Sequence, residues 1–180
     1  MFRILFACML ALLAVSATAD PQSPYVGQES REIKALLPQE ISDYLSGKGM
    51  GLAKAAELNG YPGPAHVLEL AVQLDLTPEQ KTKTEVLFKK MQARAIPFGR
   101  ELVEEERALD RLFALRAINS ESLGQALARI GRLQGLVRQV HLDAHIEQTA
   151  LLTPAQVEKY NRLRGYGMTG EQETHQPRQH

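Results

Sequence analysis

The chain has 180 residues, with 21 basic against 21 acidic side chains, a length that suits one domain or one domain with appendages. So even a charge balance offers no field of one sign to draw in a nucleic acid. The absence of tryptophan and an aromatic content of 6% leave thin material for stacking platforms or carbohydrate clefts.

The first segment has the pattern of a secretory signal peptide over residues 1–19. Met1–Arg3 supply a charged start, Ile4–Val15 an almost wholly apolar run, and Ala17-Thr18-Ala19 a small-x-small cleavage site. The run is too short to span a bilayer, so no stable membrane span is expected once it is removed. Cys8, the only cysteine, lies inside this run. The stretch "LFAC" faintly resembles a lipoprotein acceptor site, but the apolar segment continues well past it. A mature chain starting near Asp20 then has no cysteine, which rules out disulfides and thiolate chemistry. An exported chain without disulfides is expected in the periplasm.

Residues 20–64 read as an N-terminal extension with short helices and a Gly/Pro-rich loop. Pro38 suits the first turn of a helix that continues through Ile41, Tyr44 and Leu45 and stops at Gly47. The stretch "GKGMGLAKAAELNGYPGP" contains one short helical piece, Leu52–Leu58, and the strong breakers Asn59-Gly60 and Pro62-Gly63-Pro64. Ala65–Leu74 returns to helix, with Val67, Leu70, Ala71 and Leu74 on one face. From Pro78 a long amphipathic pattern runs through Val86, Leu87, Met91, Leu102, Leu109, Leu112 and Phe113. Pro97, followed by Gly99, should kink or break it. Asn119-Ser120-Glu121 supplies a turn and cap. Leu123, Leu127, Ile130, Val137 and His141 continue a second stripe, and Thr153 opens a last helix ending by Gly165. No stretch alternates with period two. Residues 167–180 have no apolar period and are expected to be disordered. The fold class is all-α: a long antiparallel helical hairpin with shorter flanking helices, which must bury its second face against those helices, a second copy or a guest.

One phrase occurs twice, "LTPEQ" at Leu76–Gln80 and "LTPAQ" at Leu152–Gln156. Physically each is a helix start. Thr77 and Thr153 sit at the N-cap, Pro78 and Pro154 at the first helical position, and Gln80 and Gln156 at the third, where hydroxyl and amide cap each other's backbone N–H groups. Leu152 and Val157 add a hydrophobic staple to the second copy, while Lys81 weakens it in the first. No catalytic role is needed to account for any residue of the motif.

Two Leu-Thr-Pro-x-Gln copies flanking a long hairpin behind a signal peptide resemble the periplasmic Spy/CpxP-type family, whose hallmark is a paired Leu-Thr-x-x-Gln (LTxxQ) motif. The resemblance covers residues 65–166 and not the preceding "NGYPGP" segment. It implies an all-helical fold, often a homodimer of hairpins forming a concave cradle. Members include ATP-independent chaperones that hold unfolded clients, envelope-stress regulators and heavy-metal-binding sensors. Chaperone-type members tend to present a basic concave face, whereas this chain is neutral.

Metal chemistry has one sharp candidate. His141 and His145 are four residues apart, on one helix face and about 6 Å from each other, a spacing able to chelate a divalent metal such as zinc, nickel or cobalt. His66 and Glu69 form a second pair before the first motif. Asp143 points away, and His175 and His180 lie in the tail. Met50, Met91 and Met168 are scattered, which does not favour a copper site. The acidic run Glu101, Glu104, Glu105 and Glu106 beside Arg100, Arg107 and Arg111 reads as a solvated helix face. There is no nucleophile elbow and no HExxH, and "GKGMG" at Gly47–Gly51 lacks the preceding strand of a phosphate loop. The expectation is therefore a periplasmic non-enzyme with no required cofactor. It would hold unfolded or misfolded envelope proteins through residues such as Leu102, Leu109, Leu112 and Phe113. A metal sensor or scavenger using the histidines, or an interaction partner of an envelope sensor, stands as the alternative.

Overall fold

A computed structural model describes residues 23–166, so the signal segment and the tail expected at 167–180 lie outside the described residues. Residues 23–30 form a small unit of their own, with one 3-10 turn at Gln28–Ser30. From Arg31 on the chain is a second unit of six helices: α1 (Pro38–Ser46), α2 (Lys54–Glu57), α3 (Pro64–Glu69), α4 (Pro78–Ala114), α5 (Ser120–Leu151) and α6 (Pro154–Leu163). No strand occurs among the described residues, and the architecture is all-α. No described helix is long and apolar enough to cross a membrane.

The helices α1, α4, α5 and α6 begin where their local chemistry says they should. Pro38 opens α1, with the Leu37 N–H donating to Glu40, and Gly47 closes it at a positive φ of 66°. Asn119 caps α5 by accepting from the Ser122 N–H at 2.9 Å. At both Leu-Thr-Pro-x-Gln copies the capping box is formed. The Thr77 and Thr153 hydroxyls accept from Gln80 and Gln156 N–H, and the glutamine side chains accept in return from the threonine N–H groups.

The two boxes also meet. Gln80 Nε2 donates to Gln156 Oε1 at 2.9 Å, and Gln156 Nε2 donates to Gln80 Oε1 at 3.0 Å. The second proton of each amide goes to a backbone carbonyl on the other side, Leu151 for Gln80 and Leu74 for Gln156. Each amide therefore uses both donors and both acceptor directions. The starts of α4 and α6 are thereby joined, with Leu76, Leu152 and Val157 packed around Val67, Leu74 and Tyr160 beside the pair.

α4 and α5 form the antiparallel hairpin. Leu87, Met91 and Ala95 pack on Val140 and Ala144, and further out Leu102 packs on Ile130 and Leu133. Three expectations need correction. Pro97 does not break α4, which runs unbroken for 37 residues. Pro97 and Ala93, whose carbonyl loses its partner, both lie on the exposed face, where water can take the freed acceptor. α3 stops at Glu69 rather than Leu74, because the chain turns through Asp75, at φ 51°, to insert Leu74 into the core and reach the Thr77 cap. Val86 faces solvent, so the inward stripe passes through its neighbour Leu87.

The shorter helices cover part of the hairpin. α1 packs on α4, α2 on α5, and α3 on both. At Gly99 the backbones of α1 and α4 touch, since a Cβ there would stand 2.3 Å from the Tyr44 carbonyl oxygen. The acidic stretch is a laced surface: Arg107 bonds both Glu104 and Glu32, and Glu105 reaches across to Arg129.

These contacts set the cost of particular substitutions. Gln80→Ala should destabilise the protein by about 2–3 kcal/mol, because it strands the Gln156 amide and the Leu151 carbonyl. Combined with Gln156→Ala, the loss should fall short of the sum by about 1 kcal/mol in urea unfolding. Gly99→Ala should cost about 1–3 kcal/mol through overpacking. Gly131→Ala, at an exposed site of α5 with nothing within 4 Å, should stabilise by about 0.5–1 kcal/mol in the same assay.

Candidate functional site

The segment between α1 and α3, rich in glycine and proline, is a strap over the histidine-bearing part of α5. Beneath it lies a cavity of about 590 Å³. The Gly47–Gly51 loop forms one side, Phe88, Met91 and Gln92 of α4 and His141 and His145 of α5 form the floor, and Ala65, His66 and Arg164 stand at other edges. Its wall is mostly apolar, including Met50 and Met91, which are far apart in the chain.

His145 anchors the strap. Its Nδ1 lies 2.7 Å from the Tyr61 carbonyl oxygen, a contact that requires Nδ1 to carry the proton and donate. Gly63 lies flat against the same ring: a Cβ there would stand 2.8 Å from Cε1 and Nε2. Pro62, Gly63 and Pro64 are all buried. The density of breakers in "NGYPGP" thus has a physical cause, close passage of backbone over an imidazole.

Glu57, at the end of α2, is the polar centre of the wall. Its Oε1 accepts from the Tyr160 hydroxyl at 2.6 Å and the Tyr166 hydroxyl at 3.0 Å, and Arg164 Nε lies 3.5 Å away. Its Oε2 is buried without a hydrogen-bond partner, 3.7 Å from His145 Nδ1. Burial, and then the bond to this carboxylate, hold the Tyr160 hydroxyl well above the usual tyrosine range, so it stays a donor. Nothing in the local sequence pointed to Glu57, Tyr61, Tyr160, Arg164 or Tyr166. The one available signal was the run of strong breakers next to a helical fragment.

His141 is 2% exposed, and its Nε2 has no partner. Desolvation first, and then the neighbouring His145, keep its pKa below the ordinary imidazole value. It is held neutral.

The residues singled out for metal binding are partly brought together. His141, His145 and His66 line the one cavity, whereas Glu69 pairs with His66 Nδ1 at 3.0 Å on the exposed side of α3. Asp143 turns to Arg94. Among the described residues no three His, Cys, Asp or Glu side chains are grouped closely enough to hold a metal ion. The capping residues Leu76, Thr77, Pro78, Gln80, Leu152, Thr153, Pro154 and Gln156 share one geometry in the two copies, do not line the cavity, and belong to construction.

His141 makes stability depend on pH with a definite sign. As pH falls below the ordinary value of 6.5, the unfolded chain takes up a proton that the folded one refuses. Folding stability should therefore decline between pH 7.5 and 5.5, by up to about 1.4 kcal/mol per pH unit from this group. In urea unfolding at the two values, His141→Gln should lose less stability over that interval than the wild type, whatever its stability at pH 7.5.

Comparison with known protein families, with curated proteins and with solved structures finds no match to this chain.

Proposed function

We propose that this is a periplasmic, ATP-independent binding protein of the Spy/CpxP type, which holds partly unfolded envelope proteins on the outer part of its helical hairpin and catalyses no reaction. One observation carries the reading. Beyond the reach of α1, the hairpin presents Phe113, Leu115 and Leu127 at 54%, 77% and 51% exposure. Charged neighbours Arg111, Arg116, Glu121 and Arg129 are interspersed among them. Apolar side chains of this size in a charged setting can bind exposed hydrophobic segments weakly enough to release them. Leu102 is excluded as a contact because it is core, and Leu109 and Leu112 are half-buried. The paired Leu-Thr-Pro-x-Gln starts support the family resemblance. In this reading two hairpins pair as a homodimer, and an envelope sensor is a further partner of the same surface.

A second reading has its own observation, the three histidines around one cavity. It makes the protein a sensor or scavenger of zinc, nickel or cobalt, with His145 Nε2 as the strongest ligand because Nδ1 is already oriented by a carbonyl.

The two readings separate in one experiment. Wild-type protein should suppress aggregation of an unfolding client at stoichiometric ratios. Phe113→Ser/Leu115→Ser should need at least about threefold more protein for the same effect. His141→Ala/His145→Ala should match the wild type with or without zinc or nickel. Absence of suppression by the wild type, together with tight metal binding that the double histidine variant loses, would reverse the order of the readings.

A further inference from the structure

We propose that the cavity beneath the strap binds a small amphiphile with an anionic head, of the fatty carboxylate class, with its head on the Gly47–Gly51 loop and its chain beneath the strap, along the floor formed by α4 and α5. The inference is independent of whether the hairpin holds polypeptides.

The loop is built as an anion seat. Gly47, Met50 and Gly51 have φ of 66°, 44° and 76°, the left-handed region that a methionine rarely occupies. The N–H groups of Gly47 and Lys48 return to α1, at Tyr44 and Asp43. The next three, of Gly49, Met50 and Gly51, have no acceptor among the described residues. Gly49 lacks the positive φ of Met50, and a change of hand between successive residues turns their N–H groups into a concavity suited to an oxyanion.

The side chains around the loop are donors as well. Lys54 lies along it, with its Cε 3.0 Å from where a Gly51 Cβ would stand, and no carboxylate is within salt-bridge distance among the described residues. Lys48 is already held by Asp43 at 3.0 Å, and Arg164 is drawn to Glu57. Two tyrosine hydroxyls and that arginine gather on Oε1 of Glu57, and its Oε2 is turned to His145 at 3.7 Å, so Lys54 is the cation of the rim with no carboxylate partner among the described residues. His141 contributes in the same sense. Its Nε2 is enclosed without a partner, and a proton there would be a stranded donor. Nδ1 faces Gly49, 3.9 Å from where its Cβ would stand, and the tautomer protonated there adds a donor beside the loop. At the loop the groups on offer, three backbone N–H groups and the Lys54 ammonium, call for an acceptor bearing negative charge.

The rest of the wall calls for hydrocarbon. Phe88, Met91, Met50 and Leu58 line the space beside the loop. Two methionines give an apolar lining that adapts to a flexible chain. The volume of about 590 Å³ falls inside the range of about 300–1,000 Å³ usual for small-molecule sites.

The test is titration calorimetry of the full chain with decanoate, decanol and decyltrimethylammonium, alongside amide NMR. Decanoate should bind with a stoichiometry of one and shift the Gly49, Met50 and Gly51 amide resonances. Decanol should bind about tenfold more weakly, and the cation should not bind. Lys54→Glu, at an exposed site, should weaken decanoate by at least about tenfold, while Phe113→Ser/Leu115→Ser should leave it unchanged. No saturable binding of decanoate, equal affinity for decanol, or loss of binding in the hairpin-tip variant rather than in Lys54→Glu would each overturn the proposal.

Discussion

The interaction on which the architecture rests is the reciprocal pairing of the Gln80 and Gln156 side-chain amides. A primary amide has two donors and two acceptor directions, and burying one with any of these unmet is costly. Here each amide serves its own helix start with its oxygen, the opposite helix start with one proton, and a backbone carbonyl with the other. The requirement that Oε1 face the threonine N–H also fixes which way each amide is turned, so the pair has a single arrangement. Apolar packing of Leu74, Leu152 and Tyr160 around it supplies most of the burial, but packing alone tolerates sliding. The amide pair does not.

With the roots of α4 and α6 held, the strap has a firm surface to lie on. Its course is set by two places where backbone passes too close for any side chain to stand between, Gly99 under Tyr44 and Gly63 over His145. Between them the chain rises off α4 and α5, and the cavity is the half-open space left beneath it. The histidines therefore serve two physical roles that their matched spacing concealed. His145 is tied to the strap by a hydrogen bond, and His141 is sealed beneath it and kept neutral. An i, i+4 pair looks symmetric on a helical wheel. Tertiary burial makes it asymmetric.

The parts of the fold legible in the sequence are those decided within one turn of helix. Thr77, Thr153, Asn119 and Pro38 mark starts, and Gly47 marks a stop, because caps and left-handed glycines act on their immediate neighbours. The all-α hairpin follows from apolar period and the turn at Asn119. Pro97 shows where a local rule gives way: its cost depends on whether the freed carbonyl meets water, and that is a property of the packed molecule. The cavity was less legible still. Glu57 stands 103 and 109 positions from Tyr160 and Tyr166 in the chain and meets them through tertiary contacts alone. The repeated motif announced two helix starts but not that they would face each other, since the contact between Gln80 and Gln156 spans 76 residues.

Because those two helix starts are clasped, the chain between the glutamines, which stand 76 positions apart, is a loop whose ends are already closed at the base. The hairpin is in effect an arm mounted on a fixed shoulder. Matched turns can be added to or removed from its far end, near Asn119, without altering the distance its ends must span. Loop-closure entropy changes only slowly with such lengthening. Arm length is thus a freely adjustable dimension of this architecture, set apart from the strap, the cavity and the clasp that must keep their register.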